Sequence, residues 1–257
     1  MELTRYLKAR NWPVAAGYLL FIGMMAIGYF YNVTFVQLGL VDLGMRVLGL
    51  SRTAVSSHMA LLALITCGVA LAVGLGMQRL GWGTRLLRKL QLALGVIVVQ
   101  TGLTAVAPHL PNQTAFLIWI IICSLALGVG VPATFSLTTD LIPVRDRGYV
   151  AAAITAVAYF IAAVFSNTWQ IAAFSRLMLL IMVPGVLVFG AIVALATAQR
   201  TFVAQWVAEL SQNHKLARFS HGRFRHSPSY KPRHFWGFVA LMFGIFFVDS
   251  LGFLRII

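Results

Sequence analysis

Residues Met178 to Ala198 read MLLIMVPGVLVFGAIVALATA, a stretch without a single charged side chain. A helix rises about 1.5 Å per residue, so roughly 20 apolar residues are needed to cover the hydrocarbon core of a bilayer, and this stretch is long enough to do so. It is one of seven; the others run near Val14 to Val36, Thr53 to Val73, Leu90 to Ala107, Thr114 to Phe135, Tyr149 to Phe165 and Trp236 to Leu254. Composition points the same way. Of the 257 residues 60% are hydrophobic and only 10% are charged, with a mean hydropathy of +0.87. Six acidic residues leave too little charge to coat a water-soluble core of this size. The sequence therefore predicts an all-α polytopic membrane protein.

The formal net charge of +14 would raise the question of nucleic acid in a soluble chain. Here the basic residues fall between apolar runs, where they orient the chain in the bilayer, and nucleic acid is set aside as a partner. With a cytoplasmic N-terminus, sixteen of the twenty Lys and Arg lie inside: before the first helix, from Arg79 to Lys89, at Arg145 and Arg147, and from Arg200 to Arg233. Arg46, Arg52, Arg176 and Arg255 lie on the other side. That asymmetry predicts a multi-pass protein of the inner (plasma) membrane with its N-terminus in the cytoplasm. The first apolar run is too long for a signal peptide and is read as a retained helix. Trp12, Trp82, Trp119, Trp169 and Trp236 are expected near helix ends as interfacial anchors. Cys67 and Cys123 both fall inside apolar runs and are expected as small core residues; neither has the companions a metal site needs, and no cofactor is expected.

The connections divide the chain into residues 1–198, a bundle of six helices; 199–235, a long basic connection; and 236–257, a seventh helix. Within the connection, Phe202, Val203, Trp206, Val207 and Leu210 recur at helical spacing, which predicts an amphipathic surface helix over 201–212. Six helices, a basic connection and one more helix have the layout of half a larger molecule plus the start of its second half. The expectation is a truncated or an abbreviated chain.

Strong hydrogen-bonding groups at membrane depth are costly, which makes each of them a functional candidate. Asn32 and Gln37 stand at the end of the first helix beside Tyr29 and Tyr31, a polar and aromatic wall suited to an organic substrate. They are five residues apart, about 140° around an α-helix, and would need a bend to face one narrow site. Hydrogen bonding between helices is the competing role. His58 in the second helix could exchange a proton near neutral pH or simply bridge two helices. Gln100 lies in the third helix. Arg176 is placed just before the sixth, snorkelling or facing an anion. Asp249 is the one carboxylate well inside an expected span, followed by Ser250 and Gly252; it is either a coupling group or a solvated residue of a helix that ends early. Gly128, Gly130 and Pro132 predict a kink or hinge in the fourth helix. The alanines of the fifth, Ala152 with Ala156 and Ala158 with Ala162, predict close packing.

The motifs of soluble enzymes are missing: no phosphate-binding glycine loop, no Cys-x-x-Cys, no His-Glu-x-x-His and no Gly-x-Ser-x-Gly. A non-enzymatic role is expected.

Two inner connections carry a resemblance. Gly74-Leu-Gly-Met-Gln78-Arg79-Leu-Gly81, followed by Arg85, Arg88 and Lys89, resembles the loop between the second and third helices of the major facilitator superfamily, with Gln78 where that family usually has Asp. Asp140-Leu-Ile-Pro143-Val-Arg145-Asp146-Arg147-Gly148 is similar to the family's loop before its fifth helix, and Leu48 to Val55 is similar to the start of its second. The resemblance implies the first six-helix half of such a transporter, the central loop and the seventh helix. Gly74, Gln78, Arg79, Gly81, Asp140, Pro143, Arg145, Arg147 and Gly148 would then be conformational elements, and the substitution at Gln78 removes a charge from the locking motif. The glycine-proline signature of antiporters is absent from the fifth helix. The implied function is alternating-access transport of a small organic solute, with a proton as a candidate coupling ion. The alternative is a membrane assembly or scaffold protein that binds a second polypeptide, a larger membrane complex or a hydrophobic pigment.

Overall fold

A computed structural model describes residues 12–82, 85–142, 146–165 and 169–198. The basic connection, the expected surface helix at 201–212, the seventh span and Asp249 lie outside the described residues.

The chain is all-α over the described residues, with long helices α1 (Trp12–Tyr31), α2 (Arg52–Arg79), α3 (Leu86–Val106), α4 (Gln113–Leu141), α5 (Arg147–Phe165) and α6 (Ile171–Thr197). Four helical segments are long and apolar enough to cross a membrane, namely Arg52–Arg79, Leu86–His109, Gln113–Thr138 and Ile171–Thr197; Phe21–Tyr31 and Arg147–Ile161 are shorter apolar helices. Large apolar side chains cover the outside: Leu64, Phe135, Phe160, Leu180 and Leu187 are each at least 68% exposed. Water would oppose such a surface, whereas lipid tails accept it.

Local signals set several helix ends. Ser51 Oγ accepts from the Ala54 amide at 3.2 Å to open α2, and Asn112 Oδ1 accepts from the Ala115 amide at 2.9 Å to open α4. Gly81, at φ +65°, closes the turn after α2 in a left-handed conformation that suits glycine. α6 starts at Ile171, so Arg176 lies inside the helix on an exposed face and not ahead of it as expected. The reason is that Ile171, Phe174 and Met178 continue the buried stripe past the arginine, which needs only to point outward.

The helices alternate in direction, which gives the bundle two ends. Near the end bearing Arg79, Arg85, Arg88 and Arg147, called here the basic end, Leu86, Leu90, Leu141, Ile142, Val150, Val193 and Ala196 form one core. Towards the opposite end, Phe30, Tyr31, Phe35, Leu43, Leu110, Phe116, Trp119, Phe174 and Met178 form the other. α2 packs on α4, α3 lies between α4 and α6, and α1 packs on α5.

Small residues in α4 and α2 bear on two expectations, and the one for Cys67 needs correcting. α4 runs on through Pro132 to Leu141, and its glycines serve as contact points: a methyl group at Gly128 would come 2.6 Å from Val69 Cβ, and one at Gly130 would come 3.0 Å from Val96 Cγ1. Cys123 is buried as expected, but Cys67 is exposed, because only Val55, Leu62 and Met77 of α2 are buried and Cys67 falls on the helix's open side.

Candidate functional site

α1 does not end as an α-helix. It widens into a π-helical segment, Asn32–Gly39, and a second follows at Asp42–Val47. At the junction Asn32 Nδ2 donates to the Gly28 carbonyl at 3.0 Å and the Thr34 hydroxyl donates to the Phe30 carbonyl. Such wide turns hydrogen-bond from i to i+5, so the 140° separation that an α-helix would set between Asn32 and Gln37 does not apply. The Gln37 side chain lies outside the described side chains.

Behind this segment the bundle holds a polar patch within an aromatic shell. Phe35 stacks on Tyr31 with centroids 4.9 Å apart and on Phe174 at 5.6 Å, and lies 5.8 Å from Trp119. Trp119 Nε1 donates to the Leu103 carbonyl at 2.9 Å, which accounts for an indole buried in the core where the sequence suggested an interfacial anchor. The Thr104 hydroxyl is 2.7 Å from the Gln100 carbonyl and 2.9 Å from the Tyr31 hydroxyl. A hydroxyl has one hydrogen; Thr104 donates it to the carbonyl, which can only accept, and so receives a hydrogen from Tyr31. Among the described residues Gln100 Nε2 reaches only Cys123 Sγ, at 4.0 Å, and Gln100 Oε1 is buried without a hydrogen-bond partner. Ser175 Oγ and Trp169 Nε1 are likewise buried and unpartnered. Buried polar atoms without partners are uncommon, and they mark places where a further hydrogen-bonding group would be gained at little cost.

The structure distributes the sequence candidates over three places. Gln100 belongs to the buried patch. Tyr29 is at the surface, edge-on to Tyr159 of α5 with centroids 6.1 Å apart, and Asn32 is half-buried and satisfied by its own helix. His58 sits between α2 and α4, its ring 5.5 Å from Phe116 and its Nδ1 bonded to the Ala54 carbonyl, which places the hydrogen on Nδ1. Tyr31, read from the sequence as part of the aromatic wall, belongs to the patch, and Thr104 and Trp119 are the members that the sequence did not place there. A polar side chain one helical turn from Gln100 was the available signal for Thr104.

At the basic end, Gln78 and Arg79 are exposed, Gly74 is half-buried, and Gly81 donates its amide to the Gln78 carbonyl at 3.3 Å. Arg147 Nε donates to the Ile142 carbonyl at 3.1 Å, closing the turn between α4 and α5; Asp146, just ahead of α5, and Lys89, in the first turn of α3, are buried. Gly148 is exposed, whereas Pro143, Arg145 and the side chain of Asp140 lie outside the described residues.

Asp42 is a further residue that sequence reading passed over. Its Oδ2 accepts from the Ile171 amide at 3.1 Å, at the start of α6, and Arg46 Nη1 stands 2.9 Å from its Oδ1. That ion pair is close but poorly angled for a hydrogen bond, so Oδ1 counts as a buried acceptor without one. Among the described residues no group of three His, Cys, Asp or Glu could hold a metal ion. Comparison of the chain with family models, with curated proteins and with solved structures found no match.

Proposed function

We propose that the chain is a secondary active transporter of a small organic solute, working by alternating access. The observation that carries this reading is the patch around Gln100: an amide oxygen with no partner, held at membrane depth and ringed by aromatic side chains, offers an orienting hydrogen bond and stacking area together. The loop motifs at Gly74–Gly81 and Asp140–Gly148 support it through their resemblance to the major facilitator superfamily. Asp249 remains the proposed coupling carboxylate. The test compares solutes accumulated by cells that express the chain with those of empty-vector cells, followed by counterflow of any enriched solute into proteoliposomes. Saturable counterflow is expected; well-inserted protein that enriches and exchanges no solute would exclude a carrier.

The second reading, an assembly or scaffold protein, is favoured by α2. Its open side presents Ala60, Ala63, Cys67 and Gly68, small residues that let another helix approach closely. Cross-linking through Cys67 to a second membrane protein, in cells where counterflow is absent, would favour it.

The proposed orientation has the basic end in the cytoplasm. Cysteines placed at Ser220 and Gln113 should react with an impermeant maleimide from opposite sides of the membrane, in a background lacking Cys67 and Cys123. Reaction from one side would overturn the topology.

A further inference from the structure

Two helix starts in this bundle, those of α2 and α4, are sealed locally, and that of α6 is not. α2 uses Ser51 and α4 uses Asn112, each immediately ahead of its helix, whereas Gln170, the residue in the same position before α6, makes no side-chain capping bond. The capping oxygen comes instead from Asp42, 129 residues earlier in the chain. Arg46, one turn further on, reaches both Asp42 Oδ1 and, at 3.5 Å, the Trp169 carbonyl just before the helix. Two polar ties therefore join the wide-turned segment 32–47 to the first residues of α6.

The packing around these ties is close and selective. A methyl group on Gly39 would come 3.0 Å from Trp169 Cη2, and one on Gly44 would come 2.6 Å from Val55 Cγ2, so the segment is pressed against the residues leading into α6 on one side and against α2 on the other. Trp169 packs on Phe174 at 5.3 Å, and Phe174 stacks on Phe35 in the shell of the polar patch. The segment and the start of α6 both lie at the opposite end of the bundle. π turns are intrinsically weaker than α turns and are found mostly where a helix has a functional reason to hold them.

We propose that Asp42 is a latch, a positioning residue that holds segment 32–47 and the start of α6 in register, so that the opposite end of the bundle has a closed state, with α6 capped, and a released state in which strap and helix start loosen together. An ordinary cap stabilises its own helix. A cap lent by another segment makes the order of the helix start conditional on where that segment lies, which is the requirement for a two-state element. The inference does not depend on transport, and it holds equally for a scaffold.

Hydrogen–deuterium exchange on the full chain in lipid nanodiscs tests it through two reporters, the amides of 171–174 and those of 42–50. Asp42→Ala should accelerate exchange at both by about fivefold or more, the range expected for loss of a cap and its ion pair. Adding Gln170→Ser, which gives α6 a local cap, should restore protection at 171–174 and leave 42–50 fast. If Asp42→Ala affects 171–174 alone, Asp42 is only a distant cap and the latch is wrong. No change at either reporter overturns it too, as does recovery of both on adding Gln170→Ser. Should Asp42→Ala fail to fold, Arg46→Ala removes an exposed side chain together with both of its contacts, and about a twofold acceleration at both reporters is expected. An Arg46→Ala protein with unchanged exchange would sink the proposal.

Discussion

Gly128→Ala should destabilise the bundle although it adds only one carbon to a helix. Alanine normally favours a helix over glycine by about 0.5–1 kcal/mol, so the expected sign here is opposite to the intrinsic one. The reason is the crossing of α2 and α4: the new methyl would lie 2.6 Å from Val69 Cβ, 2.7 Å from its Cγ1 and 3.0 Å from the Thr66 carbonyl oxygen. None of these is the tip of a flexible side chain. Relief requires the two helices to separate, and the same crossing carries the hydrogen bond from the Thr66 hydroxyl to the Ser124 carbonyl at 3.4 Å. Overpacking of this kind costs about 1–3 kcal/mol. Thermal unfolding in detergent should show Gly128→Ala clearly below the parent, while Gly95→Ala and Gly102→Ala on α3, where nothing lies within 4 Å, match or exceed it. Trimming Val69→Ala in the Gly128→Ala protein should return part of the loss. An unchanged melting temperature for Gly128→Ala would mean that α2 and α4 are not in tight contact there.

That crossing also shows what the sequence could and could not reveal. The all-α, membrane-embedded character was legible because hydrocarbon demands long uncharged runs, and these stand out in composition and spacing. The partners of each run were not. Nothing in the residues around Gly128 distinguishes a hinge from a contact point until Val69 is known to lie opposite, and the distance between them in sequence conceals it. Helix boundaries suffered in a different way. Arg176 looked like the end of an apolar run, although an arginine on the lipid-facing side can lie inside a helix by extending along it. The same limit applies to the site. Gln100 was visible as a lone amide in an apolar stretch, but that its Nε2 reaches Cys123 Sγ while its oxygen is orphaned depends on packing between helices. Asp42 has a partner in Arg46 that sequence spacing offers, but its capping role was hidden because it is made to the Ile171 backbone amide, and a backbone group leaves no trace in the residue type. Asn32 was legible as a polar residue and yet is satisfied within its own helix, a use that sequence spacing cannot tell from a pathway.

Gln100→Leu should make the protein more stable and less active at once. The buried Oε1 has no partner and the Nε2 contact to Cys123 Sγ is 4.0 Å long, so the amide contributes little that would be lost. An unsatisfied buried acceptor costs about 1–3 kcal/mol, and leucine fills a similar volume without that penalty. The melting temperature in detergent should rise. Under the transport reading, the same oxygen is the group that accepts a hydrogen bond from the solute, and its removal should lower counterflow about tenfold or more, since a site built around one polar contact strongly disfavours the complex that lacks it. Tyr31→Phe is the companion measurement. Thr104 keeps its bond to the Gln100 carbonyl at 2.7 Å when the phenol is removed, so stability should change little, and any loss of counterflow reports on the hydroxyl as a contact for the solute. The pairing of signs separates the possible roles. A Gln100 that merely braces helices would give a less stable variant whose surviving molecules exchange solute normally, and a scaffold would give a more stable variant with no counterflow to lose. Only stabilisation accompanied by loss of exchange fits an amide kept unpaired for a ligand, because a purely structural group has no reason to remain unsatisfied at membrane depth.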